Sequence, residues 1–428
     1  MNLIYYTMKM TLGVAFRTYF RKIYVWGKEN IPRDRRVIFT LNHPTACIEP
    51  LLAASKADRY VHVLLRGDAF LSKPVEWFLR QIRTIPIFRS RDGMSDLRKN
   101  ALIMQEIKAR IHNPESSVLV LAEGTSAHEK RLRRLQKGTA RMAFDTYEEY
   151  GDADIVIIPT AVNYTDSHRF RSLVSLEFGA PVALADYLDL YKDNKARALK
   201  KLTADVQDAM RAKVIHIEDP EDDGTVNLLL DFNRNEQRIP PFPYTETNNE
   251  LVREEYRIVE NINAKSKTER LRLAAQTDAY VRRLKEYRTE DLGAARPQAS
   301  NFLNWLTLFL LFPLHVIGLL WNFPPLRLAL HTADKKSQEV KFHASIRLVV
   351  GHFAWLAWYL LWIAAAWIVT NWTGALATAV LMPALGRISL IYSDLRAEVS
   401  AAYSYNSLPE EEKKAVRKLR AELLNQVR

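Results

Sequence analysis

The sequence predicts an α/β domain followed by a charged helical connector and a helical region suited to a membrane. Three observations predict it. Between Arg36 and Ile217, short β-branched runs alternate with helical stretches, the pattern of a largely parallel sheet flanked by helices. From Glu218 to Arg296 the chain is charged and helical. Beyond that, no charge occurs between Arg296 and Arg327 or between Arg347 and Arg387, stretches of 30 and 39 residues that suit hydrocarbon.

Composition sets the bounds. At 428 residues the chain exceeds one ordinary domain. With 48% apolar and 26% charged residues, disorder, collagen-like repeats and disulfide scaffolds are excluded. The single cysteine, Cys47, rules out internal disulfides and Cys-based zinc sites and fits a reducing compartment. An excess of 61 basic over 49 acidic residues attracts anionic lipid, phosphorylated substrates or nucleic acid alike. The uncharged stretches favour the membrane, and without a recognition motif no nucleic-acid partner is expected.

The elements follow in order. Met1 to Trp26 mixes apolar residues at helical spacing with Lys9, Arg17, Arg21 and Lys22; it reads as an amphipathic helix on a membrane surface or, equally, a helix packed on its own domain. The α/β domain spans 27–217. Its strand candidates are Val37 to Phe39, Tyr60 to Leu65, Ile85 to Ile87, Val118 to Leu121, Ile155 to Ile158 and Leu173 to Phe178. Helices are predicted over Pro74 to Arg83, Ser95 to Ile111 and Gly138 to Tyr150. The connector spans 218–300, with helices near Asn249 to Ala264 and Lys267 to Tyr287.

Residues 301–390 are read as membrane-embedded. Phe302 to Trp321 and Leu348 to Thr370 are each long enough to cross about 30 Å of hydrocarbon, whereas Ala375 to Gly386 is too short. Pro313, Pro324 and Pro325 are expected to kink or end the first segment. A soluble helix closes the chain over 391–428, opened by a capping box at Ser407-Leu408-Pro409-Glu410.

Four segments could carry chemistry. Asn42-His43-Pro44 and Glu49-Pro50 offer a base and a carboxylate to orient it. Pro50 predicts Glu49 as the N-cap of a helix to Ala57; a surface His beside a capping Glu is the plainer reading. Phe88-Arg89-Ser90-Arg91 delivers arginines, whose planar fork suits phosphate. Val118 to Leu121 runs into Glu123-Gly124-Thr125, where glycine permits a turn, followed by a cationic run that includes Lys137 and Arg141. Ile158-Pro159 places a proline inside an apolar strand, unusual away from an edge or bulge.

In order and spacing, these motifs resemble the glycerophospholipid acyltransferase family over about Gly27 to Phe178. The family spacing is His, four residues, Asp; here five residues intervene and the acid is Glu49. On a regular helix the extra residue would turn the acid by about 100°, an argument that lapses in a Pro-bounded turn. The resemblance implies an acyltransferase-type mixed sheet and transfer of an acyl group from a thioester to glycerol 3-phosphate or 1-acylglycerol 3-phosphate. It implies His43 as general base, Glu49 as its orienter, and a phosphate clamp from Arg89 or Arg91. Glu123, Gly124, Thr125, Lys137 and Arg141 would assist in substrate binding, and Pro159 would support the acyl site. No metal or cofactor is called for; acyl-CoA or acyl carrier protein enters as the donor substrate. The enzyme is expected at a membrane with its site on the cytoplasmic face. Two rivals are carried: an acyl-enzyme on Cys47, and an inactive phospholipid- or phosphate-binding protein of the same fold.

Overall fold

The computed structural model describes residues 3–45, 47–70, 72–88, 94–336 and 340–428. The chain divides into two compact units. One comprises Met1–His216, Tyr244–Asn249 and Glu339–Ser345; the other comprises Ile217–Pro243, Glu250–Gln338 and Ile346–Arg428.

The first unit is a mixed sheet flanked by helices. Helix α1 (Leu3–Tyr19) leads into strand β1 (Lys22–Trp26). Then follow β2 (Val37–Leu41), α2 (Ile48–Lys56), β3 (Tyr60–Arg66), α3 (Lys73–Gln81), β4 (Thr84–Ile87), α4 (Met94–His112) and β5 (Ser116–Leu121). After α5 (Gly138–Tyr150) come β6 (Val156–Tyr164), β7 (Leu173–Phe178), β8 (Val182–Ala183), α6 (Leu188–Asp193) and α7 (Lys195–Arg211). With β9 (Thr245–Glu246), the described strands form one nine-stranded sheet in the order β4-β3-β5-β2-β6-β7-β1-β9, and β8 also pairs with β6. The central strands β3, β5, β2 and β6 are parallel, whereas β7 and β8 run antiparallel to β6.

Burial explains this arrangement. Every residue of β2 and β6 is buried, as near-continuous apolar runs in a covered parallel sheet must be. Ile38, Val118 and Ile157 pack with Ile107 of α4, Phe144 of α5 and Leu202 of α7 in one apolar core. A side chain buried as fully as that of Phe144 contributes about 1.5–3 kcal/mol.

Two sequence readings are corrected here. Lys22–Trp26 is a strand of the sheet, paired with β7 and β9, not the end of a surface helix at Trp26. Its Ile-Tyr-Val-Trp run has the β-branched and aromatic character of a strand, and the fully buried Lys22 is tolerated because Glu246 lies 3.0 Å from its ammonium. That partner comes from Tyr244–Asn249, which belongs to the α/β unit although it lies within the charged connector region. Helix α1 buries Tyr5, Leu12, Phe16 and Tyr19 in this unit, and Lys9 donates to the Ala57 carbonyl at 3.1 Å. Leu3, Met10 and Val14 form an exposed apolar set on the same helix.

Pro159 has a local reason. Its carbonyl accepts from Gly179 at 2.8 Å, on the side where β7 has ended at Phe178 and β8 has not yet begun at Val182. The missing N–H therefore falls at a break between two neighbouring strands, where no ladder bond is lost.

The second unit is helical: α8 (Asp223–Glu236), α9 (Glu250–Asn263), α10 (Lys267–Glu286), α11 (Asp291–Ala295), α12 (Phe302–Lys336), α13 (Val340–Val369, from Ile346), α14 (Trp372–Asn406) and α15 (Glu410–Asn425). Buried charges join its polar helices. Arg420 donates to Asp291 at 2.9 Å and to Glu236 at 2.6 Å, and the Tyr280 hydroxyl donates to Asp291 at 2.7 Å. A capping box does form, at Ser266 and Glu269 of α10. The one expected at Ser407 does not: the Ser407 hydroxyl donates back to Tyr403 at the end of α14, and Pro409 opens α15 without a side-chain cap.

Helices α12, α13 and α14 are each long and apolar enough to cross a membrane. Neither α12 nor α14 ends where expected. Pro313, Pro324 and Pro325 do not end α12, which continues to Lys336. Pro325 cannot donate to the carbonyl of Trp321, four residues earlier, but the Trp358 indole N–H does so instead at 2.9 Å. Helix α14 does not stop near Gly386 but continues through Arg387 to Asn406, since a charge alone does not end a helix. It lies antiparallel to α12: Gly318 faces the Leu385 backbone so closely that a Cβ would sit 2.2 Å from its carbonyl oxygen. The Ser389 hydroxyl meets His315 Nδ1 at 2.9 Å, and the Trp305 ring meets the edge of Tyr403.

Candidate active site

The site is built at the carboxyl ends of the parallel strands, where loops are free to carry chemistry. Strand β2 ends at Leu41, and the next residue prolongs its pairing by other means. The Asn42 side chain donates to the Val162 carbonyl at 3.0 Å and accepts from the Val162 N–H at 2.8 Å. A carboxamide offers the same donor and acceptor as a peptide unit, so it substitutes for the next ladder step. His43 leaves the sheet from this fixed point.

Glu49 is fully buried. One carboxylate oxygen accepts from the Thr45 backbone N–H. The other, Oε2, lies 3.7 Å from His43 Nδ1, and among the described residues neither of these two atoms has a hydrogen-bond partner. A carboxylate on Nδ1 favours the tautomer that leaves Nε2 as the proton acceptor, and it stabilises the imidazolium once a proton is taken. Such contacts are often long without substrate and tighten in the reacting complex. Glu49 is not the N-cap expected from Pro50. Cys47 holds that position, and Ile48, Glu49 and Pro50 form the first turn of α2, where N–H groups have no intrahelical acceptor and proline costs nothing.

Glu123 locks the loop from the other side. Its Oε2 accepts from the His43 backbone N–H at 3.0 Å and from Arg133 Nη2 at 2.9 Å, while Oε1 accepts from the Arg133 N–H at 3.0 Å. Both oxygens thus face protein donors, and the carboxylate orders the His43 and Arg133 loops together. Gly124 turns with φ +73°, a left-handed conformation that favours glycine. Thr125 is exposed, and its hydroxyl accepts from Arg133 at 2.7 Å. Arg133, part of the cationic run and singled out by no motif, is therefore the described arginine held beside this pair of loops. The Gln136 N–H closes the loop on the Ala122 carbonyl at 2.8 Å, which brings Lys137, the N-cap of α5, to the same edge of the sheet. Lys137 and Arg141 are both exposed.

Arg89 and Arg91 lie outside the described residues. Phe88, which precedes them, packs its ring against Gly67, where a Cβ would come within 2.1 Å of it. Cys47 is poorly suited to nucleophilic attack: burial pushes its thiol up to about 11, so it stays protonated at neutral pH. Tyr164, at the end of β6, was passed over in the sequence because one tyrosine in an apolar strand carries no signal. Its phenol is raised well above 10, first by burial and then by the Glu49 charge, so it remains neutral beside the carboxylate.

Residues 22–163 match a protein-family model described as acyltransferase. The domain these loops define is an acyltransferase domain. That match overlaps the region over which the motifs resemble an acyltransferase. Among curated proteins it is 30% identical over 121 residues to an uncharacterized acyltransferase of Schizosaccharomyces pombe, covering 28% of this chain and 18% of that one. It is 34% identical over 65 residues to glycerol-3-phosphate O-acyltransferase 1 of Saccharomyces cerevisiae, covering 15% and 9%. The match thus spans less than a fifth of the length of either relative. A looser likeness, with TM-score 0.32 and 19% identity over 46% of this chain and 79% of the other, is to the 1-acyl-sn-glycerophosphate acyltransferase PlsC of Thermotoga maritima.

Proposed function

We propose that this protein is a membrane-associated enzyme that moves an acyl group from an acyl thioester to a hydroxyl of glycerol 3-phosphate or 1-acylglycerol 3-phosphate. The observation that carries the reading is His43 Nδ1 facing the buried Oε2 of Glu49 at 3.7 Å, on a loop held by Asn42 and Glu123. His43 Nε2 takes the proton of the acceptor hydroxyl as its oxygen attacks the thioester carbonyl. The tetrahedral adduct then expels the thiolate, which recovers the proton from the imidazolium. Glu49 orients the ring and offsets its transient charge. Glu123 acts as a positioning residue. Arg89 or Arg91, with Arg133, Lys137 and Arg141, supplies cations for the acceptor's phosphate, and Pro159 supports the acyl site. The active site faces the cytoplasm, where acyl-CoA and acyl carrier protein are found, and α12 to α14 hold the chain at the membrane.

The experiment is direct. Purified protein receives glycerol 3-phosphate or its 1-acyl derivative, with acyl-CoA and acyl carrier protein donors in turn, and acylated product is measured. Arg89→Ala or Arg91→Ala raises the acceptor KM more than it alters donor use. No product from any pairing overturns the reading in favour of a binding protein of the same fold.

A further inference from the structure

The helical unit carries a groove of about 680 Å³ beside the start of α12 and the later turns of α14. Its apolar wall is aromatic: Trp305, Phe309, Phe312 and Tyr392 line it. Phe309 and Phe312 are 77% and 53% exposed, apolar surface open to the hydrocarbon of a ligand. Arg288 and Arg396 line the same groove. Among the described residues, neither arginine makes an ion pair or a side-chain hydrogen bond. The groove also includes Thr289, only 6% exposed, whose buried hydroxyl oxygen has no hydrogen-bond partner among the described residues. A buried hydroxyl left unpaired costs free energy unless a ligand supplies the partner.

We propose that this groove binds one anionic glycerophospholipid. Its phosphate sits on Arg288, Arg396 and the Thr289 hydroxyl, and its acyl chains run along Phe309 and Phe312. Each part of the groove demands a matching part of the ligand. Guanidinium forks pair with phosphate oxygens, the hydroxyl donates a further bond, and the aromatic wall takes hydrocarbon. Glu290 is the acid in the lining; with two arginines it leaves a net charge of one, which a phosphodiester complements. A soluble phosphate would leave the aromatic wall uncovered. Aromatic side chains with arginines beside an apolar helix are also the chemistry of the bilayer interface. None of these residues belongs to the unit that carries His43 and Glu49, and the inference does not depend on the proposed reaction.

The test uses the full chain in nanodiscs of dioleoylphosphatidylcholine, with and without a minor fraction of dioleoylphosphatidylglycerol. Lipid retained by the protein is then counted by native mass spectrometry. The phosphatidylglycerol should be retained in preference to phosphatidylcholine, and excess inorganic phosphate should not displace it. Arg288→Gln and Arg396→Gln should each lower its retention about tenfold, as loss of a charge-assisted bond does. Thr289→Val, which keeps shape and charge, should lower it as well and decides the matter if the arginine variants fail to fold. Equal retention of the two lipids, displacement by phosphate alone, or retention unchanged in Thr289→Val overturns the proposal.

Discussion

The carboxamide of Asn42 holds the backbone of Val162 in both directions, through bonds of 3.0 and 2.8 Å. It prolongs the β2–β6 pairing by one step beyond the last strand residue, and the loop that carries His43 starts there. Asn42→Ala removes both bonds and leaves a buried backbone N–H and carbonyl unpaired. Stability should fall by about 1–3 kcal/mol in denaturant unfolding, and turnover should fall at least tenfold with little change in acceptor KM. An effect on stability with turnover intact would mean that His43 keeps its place by other contacts.

His43→Ala should reduce acyl transfer by about 10²–10⁴ with the fold unchanged by circular dichroism. Cys47→Ser should retain most activity, because a thiol raised to about 11 is almost wholly protonated at pH 8. For the same reason, alkylation of Cys47 by iodoacetamide at pH 8 should be far slower in the native protein than in urea. Rapid native alkylation with loss of turnover would return the acyl-enzyme route.

His62 on β3 is 5% exposed, and burial, followed by Arg110 and Arg83, pushes its imidazole down to about 3. The unfolded chain takes up this proton near pH 6.5 and the folded chain does not, so the unfolded state binds more protons in between. Stability from this group is complete above pH 6.5 and declines as the pH falls toward 3. Urea midpoints measured at pH 7 and pH 5 should show the decline, and His62→Gln should flatten it. An equal slope in the variant would assign the acid sensitivity to other groups.

The bond from the Trp358 indole to the Trp321 carbonyl takes the place of the one that Pro325 cannot make. Trp358→Phe keeps most of the ring but leaves that carbonyl unpaired. The helical unit should lose roughly 1 kcal/mol, the scale of interhelical hydrogen bonds in membranes, read as a lower thermal midpoint in detergent. A Pro325→Ala background, which restores the backbone donor, should erase most of the difference.

The α/β pattern was legible because its strands are short, β-branched and bounded by turns: β7 begins and ends at Leu173 and Phe178, and α5 at Gly138 and Tyr150, as their composition predicts. Strands β1 and β9 were not. Lys22 and Glu246 read as surface charges until each is placed opposite the other, and no local pattern reports a partner 224 residues away. The candidate residues His43, Glu49 and Glu123 were legible as motif members, but the closure of Glu123 on the His43 backbone and on Arg133 was not. It depends on β2 and β5 being neighbours, which is a property of strand order.

By itself, then, the sequence determined the strand–helix alternation, the acyltransferase-like motifs, the apolar helices and the residue types at the site, because each is written in local period, composition and spacing. Only the tertiary structure decided that Glu49 reaches His43 from the first turn of a helix, that Asn42 extends a strand, and that α12 passes through three prolines. Each of these rests on a donor or acceptor meeting a partner distant in the chain or on the precise turn in which a residue falls. Buried polar groups must be paired, but the chain's local pattern does not say with what.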